Sequence, residues 1–248
     1  MPTVYLSPST QEYNAYYDGV GNEEYYMNLI ADEIVPYLQA SGIDYYRNTP
    51  EMTAASSIRQ SNGLGVDLHV ALHSNAAPES ISGQLTGTDV YYYPSSRNST
   101  RFARIVVENL RRIYPEPDKV RMVSGIRIGE VARTDAPAVL IEFAYHDNPR
   151  DAEWIRNNIG EIARAVALSI AQYFGLPLVE PDGAMTGVVR LSSGYLNIRS
   201  MPGLNGSIIG RAFDGDELLV FGEENGFYTV RFNGTDGFAS KDYIYLRQ

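Results

Sequence analysis

The sequence predicts an α/β domain with a mostly parallel sheet covered by helices, followed by a small all-β barrel. Three observations carry this expectation. Apolar, strand-like runs alternate with segments of helical period up to about residue 176. Beyond that point no helical period survives, and short apolar runs are separated by Gly, Asn and Asp. Between the two regimes lies Leu176-Pro177-Leu178-Val179-Glu180-Pro181-Asp182-Gly183, whose prolines, acids and glycine read as a semi-rigid linker. The expected organisation is a first domain over residues 1–175, a linker over 176–184 and a barrel over 185–248.

The first strand is expected at residues 3–6 and ends in the turn sequence Ser7-Pro8-Ser9-Thr10. A helix follows over about residues 22–40, because Met27, Ile30, Ile34 and Leu38 recur on one face, with Asn22 as its cap and Gly42 as its stop. Pro36 is expected to kink it or shift it locally. Further strands are expected at residues 43–46, 66–72, 88–93 and 138–143. A helix over about 99–114 aligns Phe102, Val106, Leu110 and Ile113. A last helical stretch opens on Asn148-Pro149, with Asp151 near its start, and continues through Ile159, Ile162, Val166 and Ile170. In the barrel, strand-like runs fall at residues 186–191, 196–199, 207–212, 217–221, 227–232 and 237–239.

Composition narrows the function classes. The chain has 248 residues, 44% hydrophobic and 20% charged, which are globular values. Its net charge of −10 argues against sequence-independent nucleic-acid binding, which needs a basic face. With six basic and seven acidic residues in 185–248, the barrel is nearly neutral, so adhesion by bulk charge is not expected of it. No apolar run approaches the roughly 18 residues of a membrane span. The absence of cysteine removes disulfides, thiol nucleophiles and thiolate ligands, so any metal must be held by nitrogen and oxygen.

Chemistry-bearing residues gather at expected sheet edges. His73 follows the apolar run Val70-Ala71-Leu72, at the carboxyl end of a strand, where parallel sheets bind ligands. Glu142 follows Ala138-Val139-Leu140-Ile141, and a carboxylate placed there is costly to bury without a partner. Glu24, three residues before Met27, extends the apolar helix face. Each residue also has an ordinary structural reading. A strand-end histidine can serve as a hydrogen-bonded structural group, and an acid in a first helical turn complements the helix dipole, which accounts for Glu23.

Residues 1–175 resemble the zinc-dependent N-acetylmuramoyl-L-alanine amidases that cleave bacterial cell wall. The resemblance rests on Glu24-Tyr25-Tyr26-Met27-Asn28-Leu29-Ile30-Ala31, on Leu72-His73-Ser74-Asn75-Ala76, on residues 87–93, and on Pro137-Ala138-Val139-Leu140-Ile141-Glu142 followed by Phe143, Tyr145, Asp147 and Asn148. It implies zinc held by Glu24 and His73, with Glu142 as the catalytic general base. It implies peptidoglycan as substrate, cleaved between N-acetylmuramic acid and L-alanine, and an extracellular or cell-wall location. Residues 1–9 show no basic stretch followed by an apolar one, so release by a phage or lysis route, or removal of a leader, is expected.

One position departs from the family pattern. Where the family carries a first histidine ligand, this chain reads Ser7-Pro8-Ser9-Thr10-Gln11, with Thr10 in the histidine's place. Thr10, Gln11, Glu12, Tyr13, Glu23 and an extra water are the candidates for that gap. His146 could approach the site mouth from its loop, although a surface or loop role is the larger expectation. The departure keeps two alternatives open: a catalytically impaired wall-binding protein, or a hydrolase of another wall amide bond.

The second domain resembles bacterial SH3-like barrels. The resemblance rests on Tyr195-Leu196-Asn197-Ile198-Arg199-Ser200-Met201-Pro202, on Gly226-Phe227-Tyr228-Thr229-Val230 and on Gly237-Phe238. It implies attachment to wall peptides or another ligand. The same residues also suffice to build the barrel, with Leu196, Ile198 and Val230 packing inside.

Overall fold

The computed structural model describes residues 1–181, 185–233 and 235–247. It divides into two compact units, Met1–Phe174 and Gly175–Gln248. Asp182, Gly183 and Ala184 of the expected linker lie outside the described residues.

The first unit is built on a six-stranded sheet in the order β2-β1-β3-β6-β4-β5. Its strands are β1 (Thr3–Pro8), β2 (Asp44–Arg47), β3 (Leu68–Asn75), β4 (Thr88–Tyr92), β5 (Val120–Ser124) and β6 (Ala138–Tyr145). Every pairing is parallel except β4 with β6, so the sheet is mostly parallel. Such a sheet needs cover on both faces, because its strands read as continuous apolar runs.

Six helices supply that cover: α1 (Glu23–Ala40), α2 (Ala54–Leu64), α3 (Arg97–Leu110), α4 (Gly129–Ala132), α5 (Pro149–Asn157) and α6 (Ile159–Phe174). Helix α6 packs on α1 and α3, and these lie against β3 and β4 respectively. Side chains alternate along a strand. On the other face Ala71 and Leu140 pack against Val131 of α4, and α2 lies beside α4.

Local chemistry explains the boundaries. The Asn22 side chain accepts from Tyr25 N at 2.8 Å and starts α1. The helix continues through Pro36 and ends before Gly42, whose φ of 69° lies in the left-handed region that glycine tolerates. The single expected C-terminal helical stretch is two helices, interrupted at Asn158. Three elements carry weak sequence signals. In α2 the buried residues are Ser57 and Ser61 rather than an apolar stripe. Strand β5 is short and lies at a sheet edge, and α4 has only four residues.

The second unit is an antiparallel sheet in the order β13-β7-β10-β11-β12-β8-β9. Its strands are β7 (Met185–Val189), β8 (Leu196–Arg199), β9 (Ile208–Ala212), β10 (Glu217–Glu224), β11 (Phe227–Phe232), β12 (Thr235–Ser240) and β13 (Ile244–Leu246). Val189, Leu196, Ile198, Ala212, Leu218, Val220, Val230, Ala239 and Ile244 form its core. Gly187 must be a glycine, since a Cβ there would stand 2.6 Å from Ile244 Cγ2.

Asn148 ties the carboxyl edge of the first sheet to the loop before β4. Its Oδ1 accepts from Arg150 N and Asp151 N, and its Nδ2 donates to Gly83 O at 2.8 Å and Leu85 O at 3.0 Å. Asn148→Ala removes the cap and leaves two carbonyls without that donor. It is expected to cost about 2 kcal/mol in urea unfolding. An unchanged midpoint would show that water replaces these bonds.

Candidate active site

The site is assembled at the carboxyl ends of β3 and β6. His73 and Glu142 are register partners across this parallel pair, so their side chains leave the same face side by side. Asp89 of β4 is the register partner of Glu142 on its other side, and Arg121 of β5 stands next to Asp89. Arg121 Nη2 lies 2.8 Å from Asp89 Oδ1 and pairs with that acid. Just beyond His73 the β3–β6 register shifts, a strand-end irregularity of the kind that re-aims side chains beside functional sites.

The carboxylate that meets His73 is Glu23, not the expected Glu24. Glu23 is 1% exposed, and its Oε1 lies 2.7 Å from His73 Nδ1. Glu24 is half-buried, and its backbone carbonyl accepts from Asn28 Nδ2 at 2.8 Å. The reason is helix phase. At about 100° per residue, Glu23 falls within the arc of Met27, Ile30, Ile34 and Leu38, and Glu24 falls beside it.

Glu23 is enclosed by donors from the turn after β1. Asn14 Nδ2 donates to its Oε2 at 2.6 Å, and Ser74 N reaches its Oε1 at 3.4 Å. Burial opposes its ionisation, but bonds from His73, Asn14 and Ser9 hold its pKa below the usual range. Gln11 Nε2 lies 3.4 Å from His73 Nδ1. Thr10 lines the pocket beside His73, which has a volume of about 420 Å³.

A second carboxylate, absent from the sequence expectation, reaches the other side of the ring. Glu130 of α4 is 4% exposed, and its Oε2 lies 3.5 Å from His73 Nε2. Its Oε1 accepts from Ser7 Oγ and from His69 Nε2, the latter at 3.3 Å. His69 stacks on Tyr5 and sits 3.0 Å from Ser61 Oγ. Burial opposes the charge on Glu130, but the two histidines hold its pKa down at about 2. Burial likewise opposes a charge on His73, and Glu130, Glu23 and Glu142 outweigh it, raising its pKa to about 10. Nothing local marks Glu130 as buried, because one helical turn has no readable period.

Two buried polar atoms of the site have no hydrogen-bond partner: His73 Nε2 and Glu142 Oε2. The Glu142 pKa is pushed up to about 7 by burial first, and then by Glu23 and Asp89, against the pull of His73. His146 does not approach this centre. It is buried, stacked on Tyr16, with Nδ1 donating to Ser74 O at 2.9 Å.

The expected zinc ligands, Glu24 and His73, are therefore not the pair that meets. Glu23 and His73 meet each other directly, Thr10 lines the pocket with His73, and Glu130 addresses the opposite ring nitrogen. Among the described residues, no three His, Asp or Glu side chains gather as ligands of one ion.

The model of the N-acetylmuramoyl-L-alanine amidase family matches residues 9–172 and that of the bacterial SH3 domain residues 194–245. The first match spans more than half of the chain, so the chain belongs to the N-acetylmuramoyl-L-alanine amidase family, with a bacterial SH3 domain behind it. Solved structures share the fold of the first unit. The catalytic domain of the amidase CwlV from Bacillus (Paenibacillus) polymyxa var. colistinus is 17% identical. That match has a TM-score of 0.62 over 71% of this chain and 100% of that one. The amidase Ami1 from Mycobacterium smegmatis is 18% identical, with a TM-score of 0.59 over 70% of this chain and 97% of that one. An amidase from Clostridium difficile 630 is 17% identical, with a TM-score of 0.59 over 70% and 96%. Comparison with curated protein sequences gives no match.

The Glu142 shift has a stability consequence. An ordinary glutamate ionises near 4.5, whereas Glu142 in the fold keeps its proton to about pH 7. Between these values the folded chain holds the extra proton, so stability falls as pH rises through the window. Glu142→Gln carries no charge to bury. Its urea midpoint is expected to match the native chain's at about pH 4 and to exceed it at about pH 8, by up to a few kcal/mol. Equal midpoints at the higher pH would place Glu142 in a well-solvated setting.

Proposed function

We propose that this chain hydrolyses peptidoglycan at the amide bond between N-acetylmuramic acid and L-alanine, with Glu142 as the acid–base residue. The observation that carries the reading is Glu142 itself, a buried carboxyl with a free oxygen beside His73, titrating near 7. Such a group can take a proton from water and return it to the leaving amine at neutral pH. His73, fixed from both sides by Glu23 and Glu130, supplies the positive charge that faces Glu142. Asp89, paired with Arg121, adds a negative charge beside Glu142 that favours its protonated form. The zinc chemistry implied by the resemblance, a polarised carbonyl and an activated water, would need Glu24 and His73 together, and the carboxylate beside His73 is Glu23 instead. The proposed substrate is a wall polymer, so the proposed site of action is outside the membrane. No helix among the described residues is long and apolar enough to cross one.

A second reading is favoured by Thr10 and by the closed hydrogen bonding of Glu23. In it the domain holds the muramoyl peptide without cleaving it. One experiment separates the two. The full chain is incubated with muropeptides, and released stem peptide is identified by mass. The first reading expects release, and a loss of about 100-fold or more in Glu142→Gln with muropeptide binding retained. Binding without any release by the native chain establishes the second reading, and fragments cut within the peptide point to another wall amide.

A further inference from the structure

We propose that a cavity of about 580 Å³ in the second unit binds a glycan bearing free carboxylates, with Arg190 receiving the carboxylate and Tyr195 and Tyr243 covering sugar faces. The distribution of charge leads there. Among the described residues Arg231 pairs with Asp236, Lys241 with Glu223 and Arg247 with Glu217. Arg190, Arg199 and Arg211 pair with no acid among them, and these three converge. Arg190 and Arg199 line the cavity. Arg211 lies over the ring of Tyr195, which lines it too, at 4.4 Å from the centroid. No aspartate or glutamate among the described residues lines the cavity. A unit that is nearly neutral as a whole thus presents its uncompensated cations at one concave place, which suits an anion.

The walls narrow that anion to a carboxylated sugar. Arg199 Nη1 donates to Leu204 O at 3.0 Å and Gly206 O at 2.8 Å, which fixes one wall. Arg190 is exposed, and its side chain has no hydrogen bond among the described residues. Its backbone N donates to Tyr243 O at 2.9 Å, which sets the free guanidinium beside Tyr243. A guanidinium receives a carboxylate through two parallel hydrogen bonds. Tyr195 packs edge to face with Phe213 and under Arg211, yet it stays exposed, as does Tyr243. Such held rings offer apolar faces to the C–H side of a pyranose. Ser192, Ser193 and Ser240 add hydroxyls that can exchange hydrogen bonds with those of a sugar. An extended peptide would instead add along an exposed sheet edge through its backbone. The edge strands are β13 and β9, and neither lines the cavity.

The source of such a glycan rests on the proposed reaction. Hydrolysis adds water across the amide bond, so the amine leaves with the peptide and a carboxylate stays on the muramic acid. Before cleavage that position is an uncharged amide. The cavity therefore favours strands whose peptides have been removed, and it holds the chain on wall already processed.

The full chain is titrated calorimetrically with glycan strands freed of their peptides beforehand. Cleavage by the chain itself is not needed, so the amidase reading stands or falls separately. Saturable binding is expected. It should weaken about tenfold or more when the glycan carboxylates are converted to neutral amides, and by a similar factor in Arg190→Gln. Raised salt should weaken it as well. The proposal is overturned by equal binding of the amidated glycan, by unchanged binding in Arg190→Gln, or by no binding. Tighter binding of stem peptide or of poly(glycerol phosphate) than of the glycan overturns it too. The amidated glycan is tested on the native chain, so that arm decides whatever the folding of the variant.

Discussion

The rest of the first unit depends on one constraint. Carboxylates and a histidine must be kept together, out of water, at the carboxyl edge of two adjacent strands. Glu23, Glu130 and Glu142 surround His73, and none of the three carboxylates pairs with a lysine or arginine among the described residues. Charge in such a place is costly unless it is paired and hydrogen-bonded. The fold meets that cost with Ser7, Ser9, Asn14 and His69 around Glu23 and Glu130. Glu142 is left with the most strongly raised carboxyl and a free oxygen. A compensated pair beside an uncompensated acid is the asymmetry expected of acid–base chemistry.

Thr10 is one of several polar residues that line the pocket with His73. The turn after β1 presents Ser9, Gln11 and Asn14 to the Glu23–His73 pair, and α4 presents Glu130 to the other ring nitrogen. The family fold is retained, and these side chains set the hydrogen bonding around His73. This is why family membership and the chemistry of the site are separate matters here. The fold follows from sheet and helix packing over residues 9–172, whereas the chemistry follows from a few side chains at one edge.

Much of the architecture was legible because it is periodic. The stripe from Met27 to Leu38 and the apolar runs before His73 and Glu142 each bury one face or two, and period alone reveals that. Strand-end placement made His73 and Glu142 visible, since an ionisable group after an apolar strand needs an explanation. Helix α2 was hidden because it buries serines, and the break at Asn158 because apolar spacing continues on both sides of it.

The sequence by itself determined the fold class, a mostly parallel helix-covered sheet followed by a small all-β unit, and pointed to His73 and Glu142 at strand ends, because hydrophobic period and turn chemistry are local properties. Only the tertiary structure decided which of two adjacent glutamates turns inward, since that depends on the phase of α1 against the sheet. It also brought in Glu130, which is 57 residues from His73 along the chain and sits in a four-residue helix without a pattern. The absence of cysteine limited any metal to nitrogen and oxygen donors. Which nitrogen and which oxygens face one another is fixed by packing between elements distant in sequence, and no local signal records it.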